Sequence, residues 1–267
     1  MSIMNQQKNV KHQYSDDKNL SARIKLHAKH STNRKGFYPW LFELIKLADN
    51  DSILELGCGN GMLWKGKTSK LPVGSRLILS DFSEGMLNAA KENLSSMQSN
   101  IDFQQIDIQN IPYTNAFFDT IIANHMLYHI PNLDNALSEV RRVLKKNGRF
   151  YASTLSNGGI RQYLHDAIKK FVPDTCAFSQ EISFNMENGS KILGQYFSSV
   201  ERHDYIDSLA ITDTKDLMGW LDSSMSVSDH SKEKERLSYL YEYFEKIRIK
   251  EGSINIPNET CLFVCTI

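Results

Sequence analysis

The chain has 267 residues, its 31 Lys and Arg are balanced by 31 Asp and Glu, and 41% of positions are apolar against 23% charged. This composition excludes general disorder, and the zero formal net charge supplies no long-range attraction to nucleic acid or anionic membrane. No apolar run approaches the roughly 20 residues that span a bilayer.

Met1 to Val10 is polar and lacks a signal-peptide core. Four scattered cysteines (Cys58, Cys176, Cys261 and Cys265) are too few for a disulfide framework. A reducing, cytoplasmic setting is expected, with neither nucleic acid nor membrane as a partner. Up to about Lys35 there is only a weak helical stripe, at Leu20, Ile24 and Ala28. A stronger helix is expected from Pro39, with Trp40, Leu41, Leu44, Ile45 and Ala48 on its apolar face.

Strands and helices then alternate. Ser52 to Leu56 reads as a strand running into the glycine-rich Gly57-Cys58-Gly59-Asn60-Gly61, with a helix expected immediately after it. Arg76 to Ser80 is a second strand, closed by Asp81. Ser83 is placed to cap a helix carrying Met86, Leu87, Ala90 and Leu94. Ile101 to Ile106 is a third strand, ending at Asp107. Phe118 to Ala123 is a fourth, apolar enough to be buried on both faces. Pro131 opens the next helix, with Lys145 and Lys146 in its last turn and Gly148 just beyond. Arg149 to Leu155 is a fifth strand. This alternation predicts a doubly wound α/β parallel sheet.

The second half is less regular. Helices are expected from Gly158-Gly159 to Pro173, over Glu187 to Phe197, from Asp213, and over Ser231 to Lys250. Strands are expected within Ser199 to Ile211 and over Thr260 to Ile267. The helical inserts would cap the C-terminal edge of the sheet. Their aromatic residues, Tyr163, Phe171, Phe178, Phe184 and Trp220, suit either an apolar ligand pocket or the cap's own core.

The chemistry centres on Glu55-Leu56-Gly57-Cys58-Gly59-Asn60-Gly61. Glycines at a strand end allow positive φ and a close backbone approach to a ligand, and ligands of open α/β sheets bind beyond the strand C-termini. A dinucleotide fingerprint would need a third glycine at position 62, which is Met62. Glu55 is also a poor neighbour for a pyrophosphate and suits a cationic ligand. The pattern E-x-G-x-G-x-G resembles motif I of the class I S-adenosylmethionine-dependent methyltransferases. Asp81, Asp107 and the run Asn124-His125-Met126-Leu127-Tyr128-His129-Ile130-Pro131 follow in that family's order. The last run, with Arg141-Arg142-Val143-Leu144-Lys145 and Gly148-Arg149-Phe150, is similar to the ubiquinone/menaquinone-biosynthesis-type (type 11) subfamily. The likeness is strong from about Asn50 to Leu155 and weaker from Phe197 to Ile267.

This resemblance implies a Rossmann-like sheet of seven strands, mostly parallel with an antiparallel last strand. It also implies an N-terminal helical lid (1–38), an S-adenosylmethionine-binding core (39–155), and a remainder (156–267) carrying cap inserts in the same domain. It implies a methyl group passed from S-adenosyl-L-methionine to a small-molecule acceptor. Glu55 would hold the methionine ammonium, and Gly57, Gly59 and Gly61 would admit the ligand to the backbone. Asp81 would take the ribose and Asp107 the adenine, with Phe82, Met86, Ile108 and Asn124 beside them and Cys58 as a small filler of the loop. His129, with His125 and Tyr128 next to it, is the candidate base for a protonated acceptor. Tyr14, Arg23, His27, His30 and Tyr38 belong to the expected lid. No metal site is expected. The wide spacing of 26 residues from Glu55 to Asp81 departs from the family's habit, and the extra length falls between Lys65 and Gly74. The segment Asn124 to Leu127 lacks the Pro-Pro-aromatic signature of nucleobase-amine methylation. The alternatives are an NAD(P)-dependent oxidoreductase, a non-catalytic S-adenosylmethionine-binding interaction module, and methylation of a protein. O-, N- and C-methylation stay undivided, as does oligomeric state.

Overall fold

The computed structural model describes residues 14–95, 101–175, 177–179, 181–225 and 233–267. Met1 to Val10, Cys176 and the expected helix start at Ser231 lie outside the described residues. The first strand, β1 (Ser52–Leu56), is central, and its Ile53, Leu54, Glu55 and Leu56 are all buried. It pairs in parallel with β2 (Arg76–Asp81) on one side and β4 (Phe118–Asn124) on the other, with Glu55 opposite both Leu79 and Ile122. With β3 (Ile101–Gln105), β5 (Leu144–Leu155), β6 (Ser199–Tyr205) and β9 (Thr260–Thr266), the sheet runs in the order β3-β2-β1-β4-β5-β9-β6. β9 is antiparallel to both of its neighbours, and the other pairings are parallel. The expected doubly wound, seven-stranded sheet with an antiparallel last strand is therefore what the chain forms.

Alternation along the strands divides the core between the two faces. Leu54, Leu56, Ile78 and Ile121 pack on Ala136, Leu137, Val140 and Val143 of α4 (Leu133–Val143). Ile53, Leu77, Leu79 and Ile122 face the other way, against Leu41 of α2 (Phe37–Leu44) and Leu87, Ala90 and Leu94 from α3 (Glu84–Asn93) and its C-terminus. A third apolar cluster lies off the sheet. It joins α1 (Lys18–His30), α5 (Gly159–Lys169), α7 (Thr214–Met225), α8 (Glu233–Glu251) and a two-stranded antiparallel sheet of β7 (Ser208–Ile211) and β8 (Ile254–Pro257). Leu26, Leu164, Leu217, Leu221 and Phe244 are fully buried there.

Several local expectations change. No α-helix follows the glycine loop: residues 61–70 form successive tight turns, with Trp64 N–H on Gly61 O, Lys67 N–H on Trp64 O and Lys70 N–H on Lys67 O. Gly61 and Gly66, at φ +76° and +70°, interrupt the helical path. The added length between Lys65 and Gly74 is taken up by these turns and a short 3-10 segment, Thr68–Lys70. Helix α2 starts at Phe37 rather than Pro39, after Gly36 at φ +78°, and stops at Leu44. α4 starts at Leu133, capped by the Asn132 side chain on Asn135 N–H, and ends before Lys145. Lys145 and Lys146 belong instead to β5, where Lys145 pairs with Asp119 at 2.7 Å. The helix expected over Glu187 to Phe197 shrinks to α6 (Gly189–Leu193). The stretch Ser199 to Ile211 is two strands in different sheets, and β8 was not anticipated. Ser83 caps α3 as expected, accepting from Met86 N–H at 3.3 Å.

Candidate active site

One cavity of about 1240 Å³ lies between the C-terminal ends of β1, β2 and β4 and the off-sheet cluster. Of the residues the sequence singled out for the cofactor, Glu55, Gly57, Cys58, Gly59, Asp81, Phe82, Asp107, Ile108 and Asn124 all line it, and so does His129. Gly61 and Met86 do not. Gly61 faces α3, where a Cβ would sit 3.0 Å from Leu94 Cδ1 and 3.4 Å from Ala90. Met86 is 1% exposed and packed inside α3's inner face.

The glycine loop is tied to the neighbouring strand end. Cys58 N–H donates to Ser80 O at 2.8 Å, and Gly59 N–H donates to Asp81 Oδ2 at 2.9 Å. Asp81 Oδ1 accepts from Ser83 N–H at 2.9 Å, so the carboxylate braces both the loop and the start of α3. Gly57 has φ +67°, and a Cβ there would lie 3.0 Å from Met126 Cβ, so no larger residue fits. Beneath the loop, Glu55 Oε2 accepts from Trp64 Nε1–H at 2.6 Å. Burial pushes the Glu55 carboxyl up to about 8, opposed by the Trp64 hydrogen bond and reinforced by Asp81. Burial likewise raises Asp81, and drives the Cys58 thiol well above its ordinary range, which leaves no thiolate there. Asp107 Oδ1 accepts from Gln109 N–H at 2.9 Å and from its side-chain amide at 3.1 Å. Gln109 also lines the cavity and was not anticipated.

The N-terminal stripe Leu20, Ile24 and Ala28 faces the cavity, together with Arg23 and His27 of the same helix. Arg23 donates to Ser223 O at 2.7 Å and to the Tyr14 hydroxyl at 3.1 Å, and that hydroxyl lies 3.0 Å from His129 Nε2. A guanidinium can only donate, so Tyr14 accepts from Arg23, and the tautomer of His129 sets which of the Tyr14 hydroxyl and Nε2 donates to the other. Ser83 Oγ–H also donates to Tyr14 O at 2.6 Å, fixing the start of this segment on the sheet.

His125 and His27 line the cavity as well. Positive φ (+51°) at His125 is stabilised by its N–H on Ser153 Oγ at 3.0 Å, and that hydroxyl in turn donates to Asn124 Oδ1. Burial lowers both imidazoles to about 4, helped at His125 by His27 and opposed at His27 by Asp207. Both are therefore neutral at physiological pH. The expected aromatic set divides three ways. Phe171, Phe178 and Trp220 line the cavity, Tyr163 stacks on Phe244 in the off-sheet core, and Phe184 is buried against Phe263 under the main sheet. Among the described residues no His, Cys, Asp and Glu group could hold a metal ion, and no helix is long and apolar enough to cross a membrane.

The chain is 30% identical over 118 residues to the demethylmenaquinone methyltransferase of Lactobacillus johnsonii, covering 43% of this chain and 48% of that protein. It is 29% identical over 130 residues to the ubiquinone biosynthesis O-methyltransferase of Dechloromonas aromatica, covering 48% and 54%. The match thus spans about half the length of these curated relatives. Haemonchus contortus phosphoethanolamine N-methyltransferase 2, solved with S-adenosyl-L-methionine, superposes over 100% of this chain and 60% of its own at TM-score 0.58 and 15% identity, a likeness of fold. A family profile described as methyltransferase domain matches residues 47–245. The strand order, the glycine loop beyond β1 and that match agree: this chain belongs to the methyltransferase domain family.

Proposed function

We propose that the chain transfers the sulfonium methyl group of S-adenosyl-L-methionine to a small-molecule acceptor. The observation that carries this reading is the gathering of Glu55, Gly57, Gly59, Asp81 and Asp107 along one end of a single cavity. Carboxyl groups around a glycine loop offer acceptor oxygens to a cationic, ribose-bearing ligand. A buried Glu55 with its carboxyl pushed up to about 8 is the environment an incoming ammonium would relieve.

When bound, the cofactor supplies a methyl group already activated by a positive sulfur. Glu55 would hold the ammonium, and Asp81, which keeps lone pairs beyond those given to Gly59 and Ser83, would accept from the ribose hydroxyls. Asp107 and Ile108 would border the adenine, and Asn124 the methionine part. Residues 14–38 would act as the lid: Tyr14, Leu20, Ile24 and Phe37 exclude water, so an acceptor held in line reacts without solvent reorganisation. For a protonated acceptor, His129 is the base, with the Tyr14 hydroxyl 3.0 Å from its Nε2. Calorimetric titration with S-adenosylhomocysteine, against NADH as control, tests the cofactor. Micromolar binding of the former alone is expected, and binding of NADH alone would overturn the reading.

A further inference from the structure

Three polar side chains on the cavity wall have hydrogen-bonding atoms that no other described residue uses. Tyr38 lies in the first turn of α2, His125 follows β4, and Tyr128 lies in the 3-10 segment Leu127–His129. Among the described residues, neither hydroxyl and neither ring nitrogen of His125 has a hydrogen-bond partner, and none of these atoms is sealed inside the protein. The fold holds all three around one aromatic cluster. The Phe37 ring lies 5.0 Å from that of His125 and 5.6 Å from that of Tyr38, and His125 lies 6.5 Å from Tyr128, centroid to centroid. His125 keeps its positive φ through an N–H shared between Ser153 O at 3.2 Å and Ser153 Oγ at 3.0 Å. Tyr38 is an electrostatic neighbour of both Glu55 and Tyr128, which places the group between the cofactor end and the cap.

This group carries no charge at neutral pH. Burial pushes both phenols up, so they stay protonated and can donate as well as accept. Burial lowers His125 to about 4, so its ring offers one donor and one acceptor. The charges nearby are already answered. Arg23 donates to Ser223 and to Tyr14. Arg161 has the carboxylates of Glu259, Glu187 and Glu181 beside it at the head of α5, where Ser156 donates to Glu187 and Asn157 to Glu181. Glu55 is bonded to Trp64, and His27, the electrostatic neighbour of His125, is itself neutral.

We infer that Tyr38, His125 and Tyr128 form the seat of the acceptor, and that they select an acceptor presenting an uncharged, oxygen-bearing polar group. Such a group exchanges its water for the hydroxyls and the imidazole at little cost. A charged group would leave water for a wall with no free opposite charge, which is far more costly. Phe178 and Trp220, on the same cavity wall, would take the apolar body. This inference rests on the methyltransferase reading and names the substrate class of that same site.

The test uses the full chain saturated with S-adenosylhomocysteine and calorimetric titration at neutral pH. Three probes share one shape and differ in charge: 2-naphthamide, 2-naphthoate and 2-naphthamidinium. The uncharged amide is expected to bind about tenfold or more tightly than either ion. Tyr38→Phe and Tyr128→Phe keep the rings and should each lower amide affinity roughly three- to tenfold, the worth of one hydrogen bond, while S-adenosylhomocysteine still binds. His125→Phe should act in the same direction. Either ion binding as tightly as the amide, no binding by any of the three probes, or an amide affinity unchanged in both tyrosine variants overturns the proposal. Failure to bind S-adenosylhomocysteine in the unaltered protein would instead strike the underlying methyltransferase reading.

Discussion

The indole of Trp64 donates its hydrogen to Glu55 Oε2 at 2.6 Å, so the carboxyl at the root of the glycine loop is held by a residue of the turns that follow the same loop. Both side chains are buried, at 0% and 1% exposure. Trp64→Phe keeps most of the ring volume but strips the carboxyl of this donor. A buried polar group left without its partner costs about 1–3 kcal/mol. Urea unfolding of the ligand-free variant should show a loss in that range, and an unchanged midpoint would mean the bond contributes nothing.

Glu55 also makes stability depend on pH. Its carboxyl rises from 4.5 to about 8 on folding, with burial the main cause. The folded, ligand-free protein therefore binds the proton more tightly than the unfolded chain does. That contribution is complete below the unfolded value and is lost as pH climbs through about 8. The Tm of the ligand-free protein should fall from pH about 6 to about 9 relative to Glu55→Gln. Identical slopes would remove Glu55 as the cause.

Cofactor binding should carry the opposite sign. An ammonium beside Glu55 favours the ionised carboxyl, so a proton leaves when S-adenosylhomocysteine enters below pH about 8. Calorimetry near pH 7, in two buffers of different ionisation enthalpy, should show that release, and Glu55→Gln should abolish it.

Asp81→Ala removes two backbone braces, to Gly59 and Ser83, along with the proposed ribose acceptor. Affinity for S-adenosylhomocysteine should drop by about 1–3 kcal/mol. Unchanged affinity would take Asp81 out of the ribose site.

Tyr14→Phe interrupts the chain from Arg23 to His129 without emptying the space. S-adenosylhomocysteine should bind nearly as before, while turnover of a protonated acceptor falls about tenfold or more, as losing an acid–base group requires. His129→Ala should behave the same way. Full turnover in both variants would end the base assignment.

Much of the sheet half was legible because each of its features is local. Ile53 to Leu56 is apolar on both faces around one acid, Ser83 announces a helix start, and Asp81 closes β2, while β3 stops at Gln105, two residues short of Asp107. The turns after Gly61 were not legible. Trp64 and Leu63 look like the first face of a helix, and the positive φ of Gly61 and Gly66, with the indole drawn down onto Glu55, shows why the chain takes another path. The boundary at Lys145 failed for a different reason. Basic residues after an amphipathic helix suit its dipole, but Leu144 pairs with Phe118 in the sheet, and that ladder ends the helix first. Least legible were the partnerships between the two ends of the chain. Arg23 meets Ser223, Ser31 bridges to Leu209, and Asn258 approaches His27, and nothing in the local pattern of either segment announces these contacts.

Those distant partnerships bear on how the protein is made. The carboxyl-lined end of the cavity uses nothing beyond Leu155, whereas the opposite wall is stitched from α1, α5 and the segment from β7 to β8. The carboxyl-lined end is thus encoded before roughly the last two-fifths of the polypeptide, whereas α1 meets α7 only through residues about two hundred positions later. The two ends of the cavity are lined by different stretches of the chain, so substitutions that reshape the cap can alter what enters without disturbing the glycine loop at the other end.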